Sequence, residues 1–147
     1  MLPATDIASF VAGFVAAEGC FIVSGEPLSF TFAVALGAAD AGTCELLAEF
    51  LGVGHVTQAP RRHAHYDDEV TFAVRSLSDL VEVVVPFMDE HLVSSYKRRQ
   101  YEVWRGRLLD YWEHHAKRVR PCSVDGCALP RRARGLCRHH YYAAYHR

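Results

Sequence analysis

Polar and apolar residues recur along this chain with two different periods, and the changes of period mark its elements. Residues 28–36, LSFTFAVAL, alternate strictly. That spacing predicts a strand with Leu28, Phe30, Phe32, Val34 and Leu36 on one face and Ser29, Thr31, Ala33 and Ala35 on the other. Over 40–51 the apolar residues Leu46, Leu47, Phe50 and Leu51 fall instead at helical spacing. A helix is expected over 6–18, with Thr5 or Asp6 as N-cap and Gly19 as its stop. Further strands are expected over 20–24, 54–59 and 69–75, the first closed by a Gly25-Glu26-Pro27 turn and the last two joined by an irregular loop, 60–68. Helices over 77–91 and 94–115 complete the walk, the second with Tyr101, Trp104, Leu108, Tyr111 and Trp112 along its apolar side.

The order helix, strand, strand, helix, strand, strand, helix, helix predicts an α+β fold, a four-stranded antiparallel sheet with its helices on one face. The other face would carry the small and polar set Ser29, Thr31, Ala33, Ala35, Thr71 and Arg75. A face without large apolar residues can stay exposed or receive a ligand surface. The most apolar run, 80–88, is interrupted by Glu82 and Pro86, so no membrane span is expected. The N-terminus lacks the basic start of a secretory signal, which favours a cytoplasmic protein.

Charge divides the chain in two. Residues 1–117 hold nine Lys and Arg against sixteen Asp and Glu, a balance of −7; residues 118–147 hold seven Arg against Asp125 alone, a balance of +6. The expected domains are therefore 1–117 and a basic module, 118–147. Arginines of this density replace the counterions around nucleic-acid phosphates, although a solubilising tail has the same composition.

The basic module also holds three of the five cysteines. Cys122, Cys127, Cys137 and His140 follow the spacing C-x4-C-x9-C-x2-H, with His139 as the alternative fourth ligand. Four such ligands in a short segment suit tetrahedral Zn²⁺, and in so small a piece the metal would supply the folding energy. Gly126 and Gly135 permit the turns that aim the thiolates inward. Arg131, Arg132, Arg134 and Arg138 surround these ligands, and Tyr141, Tyr142 and Tyr145 follow, a mixture suited to DNA phosphates and the minor groove. Cys20 and Cys44 are read as packed thiols.

The stretch 11–19, VAGFVAAEG, is unusual for a helix. A helical glycine costs roughly 1 kcal/mol relative to alanine and is tolerated where another group must come close. Ala12, Gly13, Ala16 and Ala17 form a small-residue surface on which a second backbone can pack. The stretch resembles the signature of the LAGLIDADG homing endonucleases. The likeness extends through CFIVS (20–24), the alternating strand, LAEFLGVGHV (47–56) and SYKRRQYEVW (95–104), in the family's order, and so covers roughly residues 7–113. The GLCxxHY ending, 135–141, is similar to small zinc modules appended to phage and bacterial DNA enzymes, which favours His140 as ligand and a bacterial or phage source.

The resemblance implies an αββαββα fold and a two-fold homodimer, because the family pairs two copies of the motif helix and this chain holds one. Ala12, Gly13 and Ala16 would lie at that interface. Glu18 would be the catalytic acid and a Mg²⁺ ligand, with the Ala17 carbonyl beside it; a carboxylate at the negative end of a helix dipole gains from such a cation. Lys97 would be the second catalytic residue, stabilising phosphate charge. Ser29, Thr31, Thr71 and Arg75 on the sheet, Arg61 and Arg62 in a loop that also holds His63 and His65, and Arg98 beside Lys97 and Arg99 would contact double-stranded DNA. The implied activity is metal-dependent hydrolysis of a long, pseudo-palindromic duplex site, in a mobile-intron or other mobile-element setting. The alternative on the same scaffold is a non-cleaving DNA-binding regulator or an RNA maturase. Two departures favour that alternative: Ala16 replaces the motif's first acid, and Leu36 stands where the family often has a polar residue.

Overall fold

The computed structural model describes residues 4–116 and 120–146. The expected domain boundary at 117/118 lies outside the described residues. The described chain forms two compact units that divide between Leu109 and Asp110.

In the first unit, helix α1 (Ala4–Glu18) leads directly into strand β1 (Gly19–Ser24), and β2 (Ser29–Gly37) returns along it. A short 3₁₀ turn (Ala38–Asp40) precedes α2 (Ala41–Leu51), then come β3 (His55–Ala59) and β4 (Glu69–Val74). The expected helix over 77–91 is three pieces in succession: α3 (Leu77–Asp79), a π-helical turn (Leu80–Val84) and α4 (Val85–His91). Pro86 explains the interruption: its ring would crowd the carbonyl four residues earlier and it donates no N–H, and the wider π turn relieves both. Helix α5 (Tyr96–Ala116) follows.

The sheet is antiparallel, with order β1-β2-β4-β3. As the alternation in β2 predicts, Phe30, Phe32 and Val34 are buried, and Val70, Phe72 and Val74 of β4 join them. Val11 and Val15 of α1, Leu47 of α2, Leu80, Val84, Met88, and Tyr101, Trp104 and Leu108 of α5 close over that face. Burial of large aromatic and branched side chains, each worth roughly 1.5–3 kcal/mol, is the main source of stability here. Phe21 packs between Phe32, Tyr101 and Trp104, with ring centroids 5.2–5.3 Å apart.

Helix α1 starts at Ala4, so Thr5 and Asp6 lie inside its first turn rather than capping it. Ala8, Val11, Ala12 and Val15 form its buried stripe. Gly19 ends the helix by close approach: a Cβ there would sit 2.7 Å from the Val15 carbonyl oxygen, and its φ is not positive. Gly19 stops the helix as expected, and the chain goes straight into β1.

The second unit begins with the end of α5, residues 110–116, and its described residues then have little regular structure before helix α6 (Arg138–Tyr145). Two short antiparallel bridges, Pro121 with Pro130 and Ala133 with Leu136, fold its loops back on themselves. Gly126 and Gly135 adopt φ of +79° and +77°, as tight turns require. Helix α6 is absent from the pattern-based expectation, and none of its residues is buried.

Candidate active site and metal centre

Glu18 is the last residue of α1 and is exposed. Its carboxylate makes no hydrogen bond or ion pair among the described residues. It therefore stands free at the negative end of the helix dipole. Lys97, in the first turn of α5, reaches the adjoining residue: its Nζ donates to the Gly19 carbonyl at 2.6 Å. The sequence pairs these residues across 78 positions, and the fold brings a carboxylate and an ammonium to the same helix end.

The start of α5 is anchored on both sides. Arg98 donates through Nη1 to the carbonyls of Met88, Asp89 and Leu92, and through Nε to Glu102. Its guanidinium thus caps the C-terminus of α4. Tyr101, fully buried, donates to the Val85 carbonyl and to Asp89 Oδ1 at 2.6 Å. Arg105 meets the same carboxylate with both Nε and Nη2. Burial opposes ionisation of Asp89, but the Tyr101 and Arg105 hydrogen bonds outweigh it and hold its pKa below the usual value. Burial, reinforced by Asp89, pushes the Tyr101 phenol well above its usual range. Trp104 Nε1 donates to the Ile22 carbonyl at 3.1 Å. With Lys97, this covers carbonyls of β1, an edge strand that would otherwise invite pairing.

The open face of the sheet holds Ser29, Thr31, Ala33, Ala35, Thr71 and, just beyond the end of β4, Arg75. The Ser29 hydroxyl is engaged at the turn, donating to the Ser24 carbonyl. Thr31 and Thr71 are partly exposed and Arg75 is exposed. Strand register adds residues that the β2 pattern alone does not name. Ile22 pairs with Thr31, Cys20 with Ala33, His55 with Ala73 and Thr57 with Thr71. Period-two counting through CFIVS and HVTQA identifies them once pairing is known. Cys20 is consequently exposed, not packed, whereas Cys44 is fully buried with its thiol pKa raised by burial.

Arg61 and Arg62 are exposed in the β3–β4 loop. The loop is held by the Arg61 N–H donating to Asp68 and by stacking of His63 on His65. It borders an open cleft of about 660 Å³ that Leu36 also lines. On α1, Gly13 is exposed and a Cβ there would meet nothing within 4 Å. Phe10 is 47% exposed and stacks with Phe14. Ala12, in contrast, is buried within its own chain, and Ala16 is partly exposed. The outward stripe is Phe10, Gly13, Phe14 and Ala17.

In the second unit, Cys122, Cys127, Cys137 and His140 converge, with their ligand atoms all within 4.8 Å of one another. Cys127 and Cys137 sulfurs lie 3.9 Å apart, and His140 Nδ1 lies 3.3 Å from the sulfurs of both Cys122 and Cys137. A tetrahedral zinc with Zn–S of about 2.3 Å and Zn–N of about 2.1 Å has edges of about 3.8 and 3.6 Å. The donor set fits that ion in chemistry and in size. Burial disfavours the Cys122 thiolate, but hydrogen bonds from the Val124 and Cys137 backbone and from His140 and Cys137 bring its pKa down to about 6. The Cys137 N–H donates to the Cys122 sulfur and the His140 N–H to the Cys137 sulfur, which also caps α6. His139, the alternative ligand, is exposed outside the cluster.

The family model of the LAGLIDADG endonucleases matches residues 11–107. No curated protein matches the chain. Among solved structures, the homing endonuclease I-TnaI aligns with a TM-score of 0.63 at 24% identity, over 74% of this chain and 75% of its own. I-LtrWI, a LAGLIDADG homing endonuclease bound to target DNA, aligns at 0.63 and 22% identity, over 78% of this chain but 39% of its own. I-GzeII, in complex with a DNA target, aligns at 0.61 and 22%, over 74% and 38%. The alternating strand that opens the sheet, the motif helix ending in a free glutamate, and a matched segment covering more than half the sequence agree: this chain belongs to the LAGLIDADG endonuclease family.

Proposed function

We propose that the protein is a homodimeric, Mg²⁺-dependent endonuclease that hydrolyses phosphodiester bonds in a long, pseudo-palindromic DNA duplex. The observation that carries this is the unpartnered Glu18 carboxylate at the end of the motif helix, with the Lys97 ammonium bound to the carbonyl of the next residue, Gly19. The DNA-bound states of I-LtrWI and I-GzeII support DNA as partner. Two copies would pack through the outward stripe of Phe10, Gly13, Phe14 and Ala17, with the partly exposed Ala16 joining it and Ala12 belonging to the core beneath.

Glu18 and the Ala17 carbonyl present hard oxygen donors where the helix dipole favours a cation, and they would hold Mg²⁺. When bound, that ion supplies Lewis-acid polarisation of phosphate oxygen and an activated water. Lys97 offers its Nζ donors at this helix end. One N–H is fixed on the Gly19 carbonyl and two remain for the phosphoryl oxygens, where charge accumulates in the transition state. Arg98 holds the turn that carries Lys97, and its bonds to α4 make it a structural anchor rather than a phosphate contact. Ser29, Thr31, Thr71 and Arg75 would meet the duplex across the sheet, and Arg61 and Arg62 would extend the contact. Cys122, Cys127, Cys137 and His140 would hold Zn²⁺ as a structural ion.

A second reading, a non-cleaving DNA-binding protein, is favoured by Leu36 and Ala16 at positions where the family pattern has polar or acidic groups. Incubation with a library of duplex sites, with and without Mg²⁺, separates the two. Mg²⁺-dependent nicking that vanishes in Glu18→Gln and falls about 10²-fold in Lys97→Met, with binding retained, is the expected result. Binding without nicking would establish the second reading.

A further inference from the structure

We propose that helix α6 and the loop before it form a duplex-DNA surface on which tyrosine rings hold arginines poised for phosphate. This rests on the reading of the chain as a DNA-binding protein, and it is independent of cleavage. The Arg134 guanidinium lies over the Tyr145 ring at 4.7 Å, and the Arg138 guanidinium over the Tyr142 ring at 5.9 Å. A ring attracts the cation through its face; at Arg134 a hydrogen bond to the Tyr145 hydroxyl adds to this and uses one of the five N–H donors of the guanidinium. The arginines are therefore restrained, and they remain able to grip phosphate oxygens bidentately. A flexible arginine would lose more side-chain entropy on binding.

Three further observations point outward. Arg131, Arg132, Arg134 and Arg138 are exposed, and none has an ion-pair partner among the described residues. Arg131 is itself anchored, its Nε donating to the Pro121 carbonyl at 2.7 Å, which leaves its terminal nitrogens free. Arg134 is the non-glycine residue with positive φ, +51°, among those described. An exposed residue held in the left-handed region contributes little to packing, and such outliers cluster where a side chain is being aimed. Tyr142 and Tyr145 remain 49% exposed, so each ring offers a face to sugar or base.

Duplex DNA is the partner the chain's composition needs. Residues 1–117 carry −7, and the open sheet face contributes one arginine. Counterion release, the main source of affinity for a polyanion, must come largely from elsewhere, and residues 118–147 carry +6.

The test uses the full-length, zinc-loaded protein and a mixed-sequence duplex of about 30 base pairs without Mg²⁺, with fluorescence anisotropy read between 50 and 200 mM KCl. Each phosphate contact contributes about 0.9 to the slope of log K against log salt. Arg134→Gln/Arg138→Gln should therefore flatten the slope by about 1.8. Tyr142→Ala/Tyr145→Ala should weaken binding severalfold, and Tyr142→Phe/Tyr145→Phe, which keeps the rings and loses the hydroxyl that bonds Arg134, should recover most of it; a phenylalanine variant as weak as the alanine one would overturn the role of the rings. Zinc content equal to that of the parent shows that a variant is folded. An unchanged slope in the zinc-loaded arginine variant overturns the proposal while leaving DNA binding by the rest of the chain intact. A slope change with duplex RNA alone assigns the surface to RNA and overturns it too. Absence of salt-dependent DNA binding by the parent overturns both this proposal and the reading on which it rests.

Discussion

At the scale of single residues, the proposed site rests on two that do opposite things at one helix end. Glu18 places negative charge where the helix dipole is already negative, and Lys97 brings a cation to the next carbonyl along. Gly19 makes both placements possible. Helix α1 turns into β1 without a loop, and only a residue lacking a Cβ fits against Val15 at that junction. Gly19→Ala would put a methyl group 2.7 Å from both the Val15 carbonyl oxygen and Val15 Cγ1. The backbone atom cannot swing away as a side-chain tip can. The substitution should destabilise the protein by about 1–3 kcal/mol, read as a lower urea midpoint, and should weaken the Lys97 bond by displacing its acceptor. A midpoint equal to that of the parent would show that the junction relaxes freely.

At the scale of elements, the strands and long helices were legible in the sequence and the joints between them were not. Strict alternation from Leu28 to Leu36 identifies β2 because one side of the strand meets the core. Period alone, however, does not give the order β1-β2-β4-β3, which places Thr31 beside Ile22 and Thr57 beside Thr71. Helix α6 was invisible because its stability comes from the Cys137 cap and its tyrosine and arginine contacts rather than from an apolar face. Arg98 read as a phosphate ligand because its cationic neighbours mask its task of capping α4, and such capping across a chain reversal leaves no local signal. The α4–α5 joint makes its own prediction. Asp89 accepts from Tyr101 and from both ends of the Arg105 fork, and Asp89→Asn should cost about 1–2 kcal/mol at pH 7. Because the folded-state pKa of Asp89 is lowered, this stabilisation is present above the unfolded value of about 3.9 and is lost as pH falls through the folded one. Urea midpoints of parent and variant should therefore converge as pH falls through the folded-state pKa of Asp89. A gap of the same size at acid pH would assign the loss to packing instead of charge.

At the scale of the whole molecule, the question is what covers α1. Its inward stripe is complete within the chain: Ala8, Val11, Ala12 and Val15 are buried. Its outward stripe is not, with Phe10 47% exposed and open space where a Cβ on Gly13 would go. A glycine in the exposed middle of a helix weakens it by about 1 kcal/mol relative to alanine with no return inside the subunit. In the proposed dimer a second copy of the helix would supply the return, since two backbones can approach through glycine and alanine, and it would bring the two Glu18 carboxylates to one duplex. Gly13→Glu separates these contributions. Within one subunit the side chain enters solvent, and glutamate is the better helix former, so the fold should persist by circular dichroism. Across a two-fold axis the two carboxylates face each other, and like-charge juxtaposition of about 3 kcal/mol corresponds to a dimer more than 10²-fold weaker. Ultracentrifugation should then show a folded monomer at concentrations where the parent sediments as a dimer. Nicking of a palindromic duplex should disappear with the dimer, although Glu18 and Lys97 are untouched. Ala12→Glu, aimed into the core, should instead unfold the subunit. A Gly13→Glu protein that stays dimeric, or a parent that binds its duplex as a single subunit, would place the pairing surface elsewhere and leave the glycine of α1 without a physical reason.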